Sequence, residues 1–265
     1  MSERYAVIGH PVAHSKSPFI HAEFARATRQ DIEYRRIEAP LDGFRRTADE
    51  FRAAGGKGLN VTLPFKGQAF VYCAQASDRA RASQAVNTLD FREPTFGDNT
   101  DGVGLVRDLS RNLHFDLRSS RTLLMGAGGA AQAVVGALRE AGVAQLVVVN
   151  RTEARAQALA ARFPGTRGCG YGGLGDESFG LIINATSASL LDAAPPLPTS
   201  AFSRGALAYD MVYGRETPFL AAARAQGARV ADGLGMLVEQ AAESFFVWRG
   251  VRPETAPVLR KLRGG

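Results

Sequence analysis

Lysine is scarce in this chain of 265 residues, although basic residues are not. Only four of the 32 basic residues are lysine: Lys16, Lys57, Lys66 and Lys261. A chain that uses arginine almost everywhere can keep lysine where a compact ammonium with an adjustable pKa is needed. Three of the four lie in the N-terminal quarter, which makes that segment a candidate for acid–base chemistry.

Cysteine and long apolar runs are also scarce. The two cysteines, Cys73 and Cys169, lie far apart and outside any CxxC pair, so the sequence predicts neither a disulfide framework nor a zinc site. No run of about 18 apolar residues is present, so we expect no membrane span. The N-terminal residues lack the apolar core and cleavage site of a signal peptide, and we expect residues 4–9 to form the first strand. These features predict a protein of the reducing cytoplasm.

The charge excludes some partners and favours others. The net charge is +6, but the basic residues are scattered, with no block of five or six that would suit nucleic acid. A mildly basic surface suits an enzyme with anionic ligands. The four histidines have no metal-ligand spacing, so we expect structural or surface roles and no metal. They are His10, His14, His21 and His114.

A glycine-rich turn is the clearest local motif. An apolar strand is predicted at 121–125, an Ala-rich helix at 129–141 and a second apolar strand at 145–149, which make a βαβ unit. The glycines between strand and helix would let backbone N–H groups approach a pyrophosphate. The turn consists of Gly126, Ala127, Gly128, Gly129 and Ala130.

The residues after the second strand indicate which dinucleotide is bound. An acid there would bind the ribose hydroxyl of NAD, whereas this chain has Asn150, Arg151 and Thr152, with Arg155 one helical turn on. An arginine at this position accommodates the 2′-phosphate of NADP. The alternatives are an ordinary glycine turn without a nucleotide, and arginines that only cover a helix surface.

The order of elements predicts an α/β protein of two domains. Residues 1–100 would form a mixed α/β substrate-binding domain, completed by helices in 235–265. Residues 101–234 would form a Rossmann-like, doubly wound parallel-sheet domain for NADP. Within it we predict a helix over 101–113, a Gly-rich loop over 168–175 and a loop over 193–198.

Eight motifs, taken together, resemble the NADP-dependent shikimate dehydrogenases of the shikimate/quinate dehydrogenase family, from end to end of the chain. In sequence they are HSKSP (14–18), GGKGLNVTLPFK (55–66), AVNT (85–88), GDNTDG (97–102), GAGGA (126–130), NRT (150–152), YDMVY (209–213) and DGLGMLVEQ (232–240). The resemblance implies reversible, NADPH-dependent reduction of 3-dehydroshikimate to shikimate, a step of aromatic amino-acid (chorismate) biosynthesis. It also implies a small-molecule substrate and a monomer or homodimer.

Lys66 and Asp101 are the predicted catalytic residues, and both are expected to contact the substrate. Hydride transfer to a ketone gives the oxygen alkoxide character, so a proton donor must be near. A carboxylate next to the lysine would fix its position and favour its charged form. Two roles stay open for Lys66, proton transfer and electrostatic stabilisation, and the structural alternative is a surface ion pair.

Other polar residues match substrate contacts of the family. Ser15 and Ser17 match the carboxylate-binding serines, although Ser17 could simply cap the helix that begins at Pro18. The side chains that match contacts to the ring hydroxyls can each donate and accept hydrogen bonds. They are Asn60, Thr62, Asn87 and Gln240. Ordinary turn and cap chemistry is the alternative for Thr62 and Asn87.

Four further residues match positions near the substrate or cofactor. Tyr213 resembles a residue that contacts the substrate from the cofactor domain, and Met211 and Gly233 resemble the walls of the nicotinamide site. Asp78 matches an acidic position near the cofactor. Core packing is the alternative for Met211, and a solvated helix surface is the alternative for Asp78.

Two departures from the family pattern concern the cofactor side. Ala188-Ser189-Leu190 replaces the usual Ser/Pro and Gly, which predicts a different loop near the nicotinamide. Gln132 stands where relatives often have Arg. The rival predictions are a quinate/shikimate dehydrogenase of broader substrate and cofactor range, and a non-catalytic module that keeps the fold. Such a module would be expected to lose Lys66 or Asp101, and both are present.

Overall fold

The computed structural model describes residues 2–186 and 195–264. The chain divides into two compact units. Unit 1 is Met1–Gly104 with Leu237–Gly265, and unit 2 is Leu105–Met236. The sequence placed the boundaries after residues 100 and 234. Among the described residues, no helix is both long and apolar enough to cross a membrane.

Unit 1 is built on a mixed six-stranded sheet of order β2-β1-β3-β5-β6-β4. Its strands are β1 (Glu3–Gly9), β2 (Ile32–Glu38), β3 (Gly56–Val61), β4 (Gln75–Ala76), β5 (Thr88–Asp90) and β6 (Phe96–Asp98). β1 is parallel to β2 and β3, whereas β5 is antiparallel to β3 and β6. The core contains aromatic side chains such as Phe24, Phe44 and Phe65, which are fully buried.

The first hundred residues also contain four helices, two of which begin at a proline or a capping side chain. They are α1 (Ser17–Thr28), α2 (Phe44–Ala53), α3 (Lys66–Tyr72) and α4 (Asp78–Ser83). Proline in the first turn of α1 needs no N–H partner there, and the Ser77 side chain caps α4 by accepting from the Ala80 N–H. The chain also contains α5 (Asp101–Arg107), α9 (Leu234–Arg249) and α10 (Ala256–Gly264).

Unit 2 contains a six-stranded sheet whose neighbouring strands are all parallel. Its strands are β7 (Arg121–Met125), β8 (Gln145–Val149), β9 (Thr166–Cys169), β10 (Phe179–Asn184), β11 (Phe202–Asp210) and β12 (Arg229–Asp232). Its helices are α6 (Gly129–Glu140), α7 (Glu153–Ala160) and α8 (Pro218–Ala225). The order β12-β11-β10-β7-β8-β9 is that of the doubly wound dinucleotide-binding fold, with the switch between β7 and β10. The predicted fold class is confirmed.

The structure differs from the local predictions in three ways. The helix predicted over 101–113 is present, but it is α-helical only over Asp101–Arg107 and continues as a π-helical turn, Asp108–Asn112. The Gly-rich segment 168–175 is not only a loop, because it holds the end of β9 and a 3-10 turn, Tyr171–Leu174. Four short strands (β4, β6, β9 and β12) and helix α8 were not predicted.

Candidate active site

Lys66 and Asp101 form an ion pair in unit 1. Lys66 is the first residue of α3, and Asp101 is the first residue of α5, where the helix dipole favours an acid. Lys66 Nζ lies 2.5 Å from Asp101 Oδ2, and the two side chains are 21% and 9% exposed. Oppositely charged groups that are this strongly buried attract each other more than two exposed groups do, because less water screens them. The arrangement is therefore not the surface ion pair that was the structural alternative.

Asn87 holds the other oxygen of the Asp101 carboxylate. Its Oδ1 accepts from the Thr100 backbone N–H at 2.8 Å and from the Thr88 hydroxyl at 2.9 Å. Because a backbone N–H can only donate, the oxygen end of the amide must face Thr100. The Asn87 Nδ2 is thereby directed at Asp101 Oδ1, 2.8 Å away, so both carboxylate oxygens of Asp101 accept hydrogen bonds.

A buried group of hydroxyls, which was not predicted from the sequence, supports this arrangement. Ser244 Oγ on α9 lies 2.7 Å from Thr88 Oγ1 and 3.2 Å from Thr100 Oγ1. It also accepts from Asn60 Nδ2 at 2.9 Å. We call Asn60, Asn87, Thr88, Thr100 and Ser244 the buried polar network. No sequence motif links positions 88 and 244, and only the fold brings them together.

Asn60 is fully occupied by protein partners. Its Oδ1 accepts from the Tyr34 hydroxyl at 2.8 Å and lies 3.1 Å from His21 Nε2, while its Nδ2 faces Asn87 O and Ser244 Oγ. It is 6% exposed. In this state Asn60 joins β3 to α1, β2 and α9, and its contact with a substrate hydroxyl stays a prediction.

His21 is a core residue. Its ring stacks on Tyr34 with centroids 4.2 Å apart, and it is fully buried. Burial, opposed by the hydrogen bond to Asn60, lowers the pKa of His21 to about 3. The imidazole is therefore neutral at physiological pH, in agreement with the structural role expected of it.

Ser15 and Ser17 lie together at the start of α1. The Ser15 hydroxyl donates to Ser17 Oγ at 3.2 Å and accepts from the Ser17 N–H at 3.3 Å. No described side chain caps α1 in the usual way, so the capping alternative for Ser17 finds no support. The Ser15 carbonyl accepts from Arg36 Nε and Nη2 of β2 at 2.9 and 2.5 Å.

Thr62 and Gln240 are also in unit 1. Thr62 follows β3, is half-buried, and its hydroxyl has no hydrogen-bond partner among residues 2–186 and 195–264. Gln240 is held on α9, because its Nε2 donates to the Leu237 carbonyl at 2.7 Å. Its Oε1 lies 3.3 Å from Asn87 Nδ2, the amide nitrogen that also donates to Asp101.

The glycine turn of unit 2 is shaped for a close backbone approach. Gly126 has φ +106°, and a Cβ there would lie 3.0 Å from the Ala185 carbonyl oxygen, so glycine is required. Its N–H donates to the Val149 carbonyl at 2.8 Å, which fixes the turn to the end of β8. A Cβ on Gly128 or Gly129 would meet nothing within 4 Å. This open space at the first turn of α6, with Ala127 and Ala130 beside it, fits a pyrophosphate.

The basic residues after β8 are exposed. The Asn150 Nδ2 donates to the Thr152 carbonyl at 2.9 Å and orders the turn into α7. Within the described ranges, neither Arg151 nor Arg155 has an ion-pair or hydrogen-bond partner for its guanidinium. Two uncompensated cations near a glycine turn fit the extra phosphate of NADP.

The remaining predicted residues differ in their surroundings. Gly233 has a local reason to be glycine, because a Cβ would lie 2.3 Å from the Met211 carbonyl oxygen. Met211 packs against the unit 2 core, as its structural alternative states. Tyr213 is half-buried, and burial raises its pKa. Asp78 is 98% exposed and pairs with Arg81, so its surroundings are those of a solvated helix residue.

The two departures have different outcomes. Gln132 Nε2 lies 3.4 Å from the Ala127 carbonyl oxygen, so it supports the glycine turn rather than supplying charge. Ala188, Ser189 and Leu190 lie outside the described residues.

Comparison with known proteins gives the family. Three family profiles match, described as shikimate dehydrogenase substrate binding domain (residues 7–89), shikimate/quinate 5-dehydrogenase (108–189) and shikimate 5′-dehydrogenase C-terminal domain (233–263). A shikimate dehydrogenase (NADP⁺) from Methylobacillus flagellatus is 54% identical, over 98% of this chain and 99% of its own. The chain belongs to the shikimate dehydrogenase family. The resemblance inferred from the sequence is thereby confirmed.

Solved structures of the family agree with the fold. The Ael1 enzyme from Pseudomonas putida has a TM-score of 0.94 at 48% identity and covers 98% of both chains. The shikimate 5-dehydrogenase from Thermus thermophilus, in complex with NADP(H) and shikimate, has a TM-score of 0.88 at 37% identity and covers 98% of both. Neighbours this similar over the whole length include both units of the fold.

Proposed function

We propose that this chain is an NADP-dependent shikimate dehydrogenase, which catalyses the reversible reduction of 3-dehydroshikimate to shikimate. The observation that carries the proposal is the Lys66–Asp101 pair at 2.5 Å, with Asn87 on the second carboxylate oxygen. Full-length relatives with this named activity support it.

Unit 1 is proposed to bind the substrate. The Ser15 and Ser17 hydroxyls would receive the carboxylate, since hydroxyls at a helix start can donate to an anion. Asn60, Thr62, Asn87 and Gln240 would meet the ring hydroxyls. A site built for such hydrogen bonds rejects analogues that lack them, because its own polar groups would be left unpaired.

Lys66 is proposed to move the proton. When bound, NADPH supplies a hydride to the carbonyl carbon. The carbonyl oxygen then takes a proton from Lys66 Nζ and becomes the hydroxyl, while Asp101 holds the ammonium in place. In the oxidative direction Lys66 takes the proton back. A purely electrostatic lysine would need the proton to come from water.

Unit 2 is proposed to bind NADP(H). Gly126, Gly128 and Gly129 would receive the pyrophosphate at the first turn of α6, and Arg151 with Arg155 would bind the 2′-phosphate. The proposal also includes a contact of Tyr213 with the substrate and contacts of Met211 and Gly233 with the nicotinamide. The local surroundings of Asp78 give no support to a cofactor role.

The setting of the enzyme is also part of the proposal. The two cysteine thiols are free, which suits the reducing cytoplasm. We propose a monomer or homodimer there, which sedimentation at working concentration would distinguish.

An activity assay tests the proposal. Cofactor reduction by the purified protein would be followed with shikimate or quinate, each with NADP or NAD. We expect fast turnover only with shikimate and NADP. Comparable rates with quinate or NAD would instead favour the dehydrogenase of broader range, and a folded protein without any rate would favour the non-catalytic module.

A further inference from the structure

Arg36 makes an unusual contact beside the two serines. It lies on β2, and its Nε and Nη2 both donate to the backbone carbonyl of Ser15, at 2.9 and 2.5 Å. The Ser15 N–H in turn donates to the Val12 carbonyl at 3.0 Å. The loop that presents the Ser15 hydroxyl is therefore held on both sides of that residue.

The charge of Arg36 is not neutralised in the part of the chain that the structure describes. No carboxylate lies within ion-pair distance of it, and the nearest acid along the strand, Glu38, faces His10 at 3.4 Å. A neutral carbonyl takes two of the five guanidinium N–H donors and leaves the positive charge in place. Arginine normally pairs with a carboxylate or phosphate where one is available.

We propose that Arg36 is a specificity-determining residue for the substrate carboxylate. It fixes the backbone that carries Ser15 and adds a positive potential at the hydroxyl pair, so that anionic ligands bind better than neutral ones of the same shape. This inference rests on the proposed function, which places the carboxylate at Ser15 and Ser17. The serine hydroxyls are uncharged, so the inference assigns the preference for an acid to Arg36, whose guanidinium donates to the backbone of the loop.

The test compares a charged ligand with its neutral counterpart. Dissociation constants for shikimate and for its methyl ester would be measured by calorimetry in wild type, Arg36→Gln and Arg36→Lys. The matched control is Arg35→Gln, the next residue on β2, whose guanidinium lies over the Phe51 ring at 5.4 Å. Turnover at saturating shikimate and the salt dependence of binding would be recorded for each.

We expect Arg36→Gln to weaken shikimate binding about fivefold, the size of an exposed charge interaction. It should leave ester binding within twofold of wild type, flatten the salt dependence and change turnover little. Arg36→Lys should keep most of the acid-over-ester preference, because it keeps the charge. Arg35→Gln should behave as wild type.

Two results would overturn the inference. Equal weakening of acid and ester would make Arg36 a support of the loop only, and unchanged shikimate binding in Arg36→Gln would remove any role. Failure of the proposed function is separate, because it would appear as a wild-type protein that does not turn over shikimate with NADP.

Discussion

Side chains predicted to bind ligands are buried and hydrogen-bonded in unit 1, whereas those predicted to bind the 2′-phosphate in unit 2 are exposed and unpaired among the described residues. In unit 1, Asn60, Asn87 and Asp101 are each less than 10% exposed, and their polar atoms are joined to protein partners. In unit 2, Arg151 and Arg155 are exposed and, within the described residues, have no partner. A preorganised group costs little reorganisation when charge develops, whereas a free arginine must lose side-chain entropy on binding.

This difference suits the two tasks. Proton transfer needs a lysine held within hydrogen-bond reach of one atom. Binding phosphates needs positive charge, which Arg151 and Arg155 carry, and open space, which the absence of a side chain at Gly128 and Gly129 provides. We infer that the substrate site exists before any ligand arrives and that the phosphate site becomes ordered with its ligand.

The largest expected effect is the loss of turnover when Lys66 of unit 1 is replaced. Lys66→Met removes the proposed proton donor but keeps much of the side-chain volume. We expect turnover to fall by about 10³-fold, in the range of general acid–base catalysis, with shikimate binding changed much less. Rates at saturating substrate and dissociation constants would be measured separately.

Lys57→Met is the matched control for this change, because Lys57 is an exposed lysine of the same unit. It should retain wild-type turnover. Unchanged turnover in Lys66→Met would remove the proton-transfer role.

The second-largest effect is expected for Ser244→Ala, which should weaken the buried polar network. It deprives Asn60, Thr88 and Thr100 of a shared partner, and buried groups left unsatisfied cost about 1–3 kcal/mol. We expect a loss of that size in the free energy of unfolding, measured by urea denaturation. The control is Ser110→Ala, whose exposed hydroxyl donates to the Val106 carbonyl of its own helix. Equal stability of the two variants would show that the network contributes nothing special.

The exposed site of unit 2 should give a smaller and selective effect. Arg151→Ala is expected to raise the dissociation constant for NADP about tenfold, the loss of one charge-assisted contact, and to leave NAD binding unchanged. Arg204→Gln, another exposed arginine of unit 2, should change neither. If NADP and NAD weakened together, Arg151 would not contact the 2′-phosphate.

The smallest effect, over a change of one pH unit, concerns acid stability. The pKa of His21 is lowered to about 3 by burial, against about 6.5 in the unfolded chain. The unfolded state therefore binds the proton first, and stability is present above pH 6.5 and lost as the pH falls from there towards 3. We expect about 1 kcal/mol per pH unit between pH 6 and 5 from this residue.

The measurement is the slope of the unfolding free energy against pH in wild type, His21→Phe and His14→Phe. The slope should flatten in His21→Phe alone, because His14 is exposed. An unchanged slope in His21→Phe would mean that the imidazole titrates normally in the folded protein.

The local sequence pattern predicted those elements whose formation depends on neighbouring residues. The glycine turn, β7, β8 and α6 were predicted within a residue, because apolar runs, glycines and an Ala-rich helix each carry a short-range signal. Strands β4 and β6, of two and three residues, are too short to show a period. Helix α8 begins at Pro218, directly after its cap Thr217; this start signal is present in the sequence, but the helix was not predicted from it.

Some residues of the candidate site were predicted and others were not, because only some of them belong to a recognisable local motif. Lys66 and Asp101 were paired on chemistry and resemblance, and the structure places them in contact. Ser244 and His21 were not recognised as parts of the site's support, because a serine or histidine on a helix has many unremarkable explanations. Their role depends on contacts with Thr88 and Asn60, which only the folded chain provides.

The most direct test compares the mobility of the two sets of side chains. Nuclear magnetic relaxation would give order parameters for the Asn60 and Asn87 amides and for the Arg151 and Arg155 Nε–H groups, without and with NADP. We predict values of about 0.85 for both amides in either state, and arginine values that rise from below about 0.6 when NADP is added. Mobile amides in the ligand-free protein, or arginines already rigid without NADP, would contradict the account.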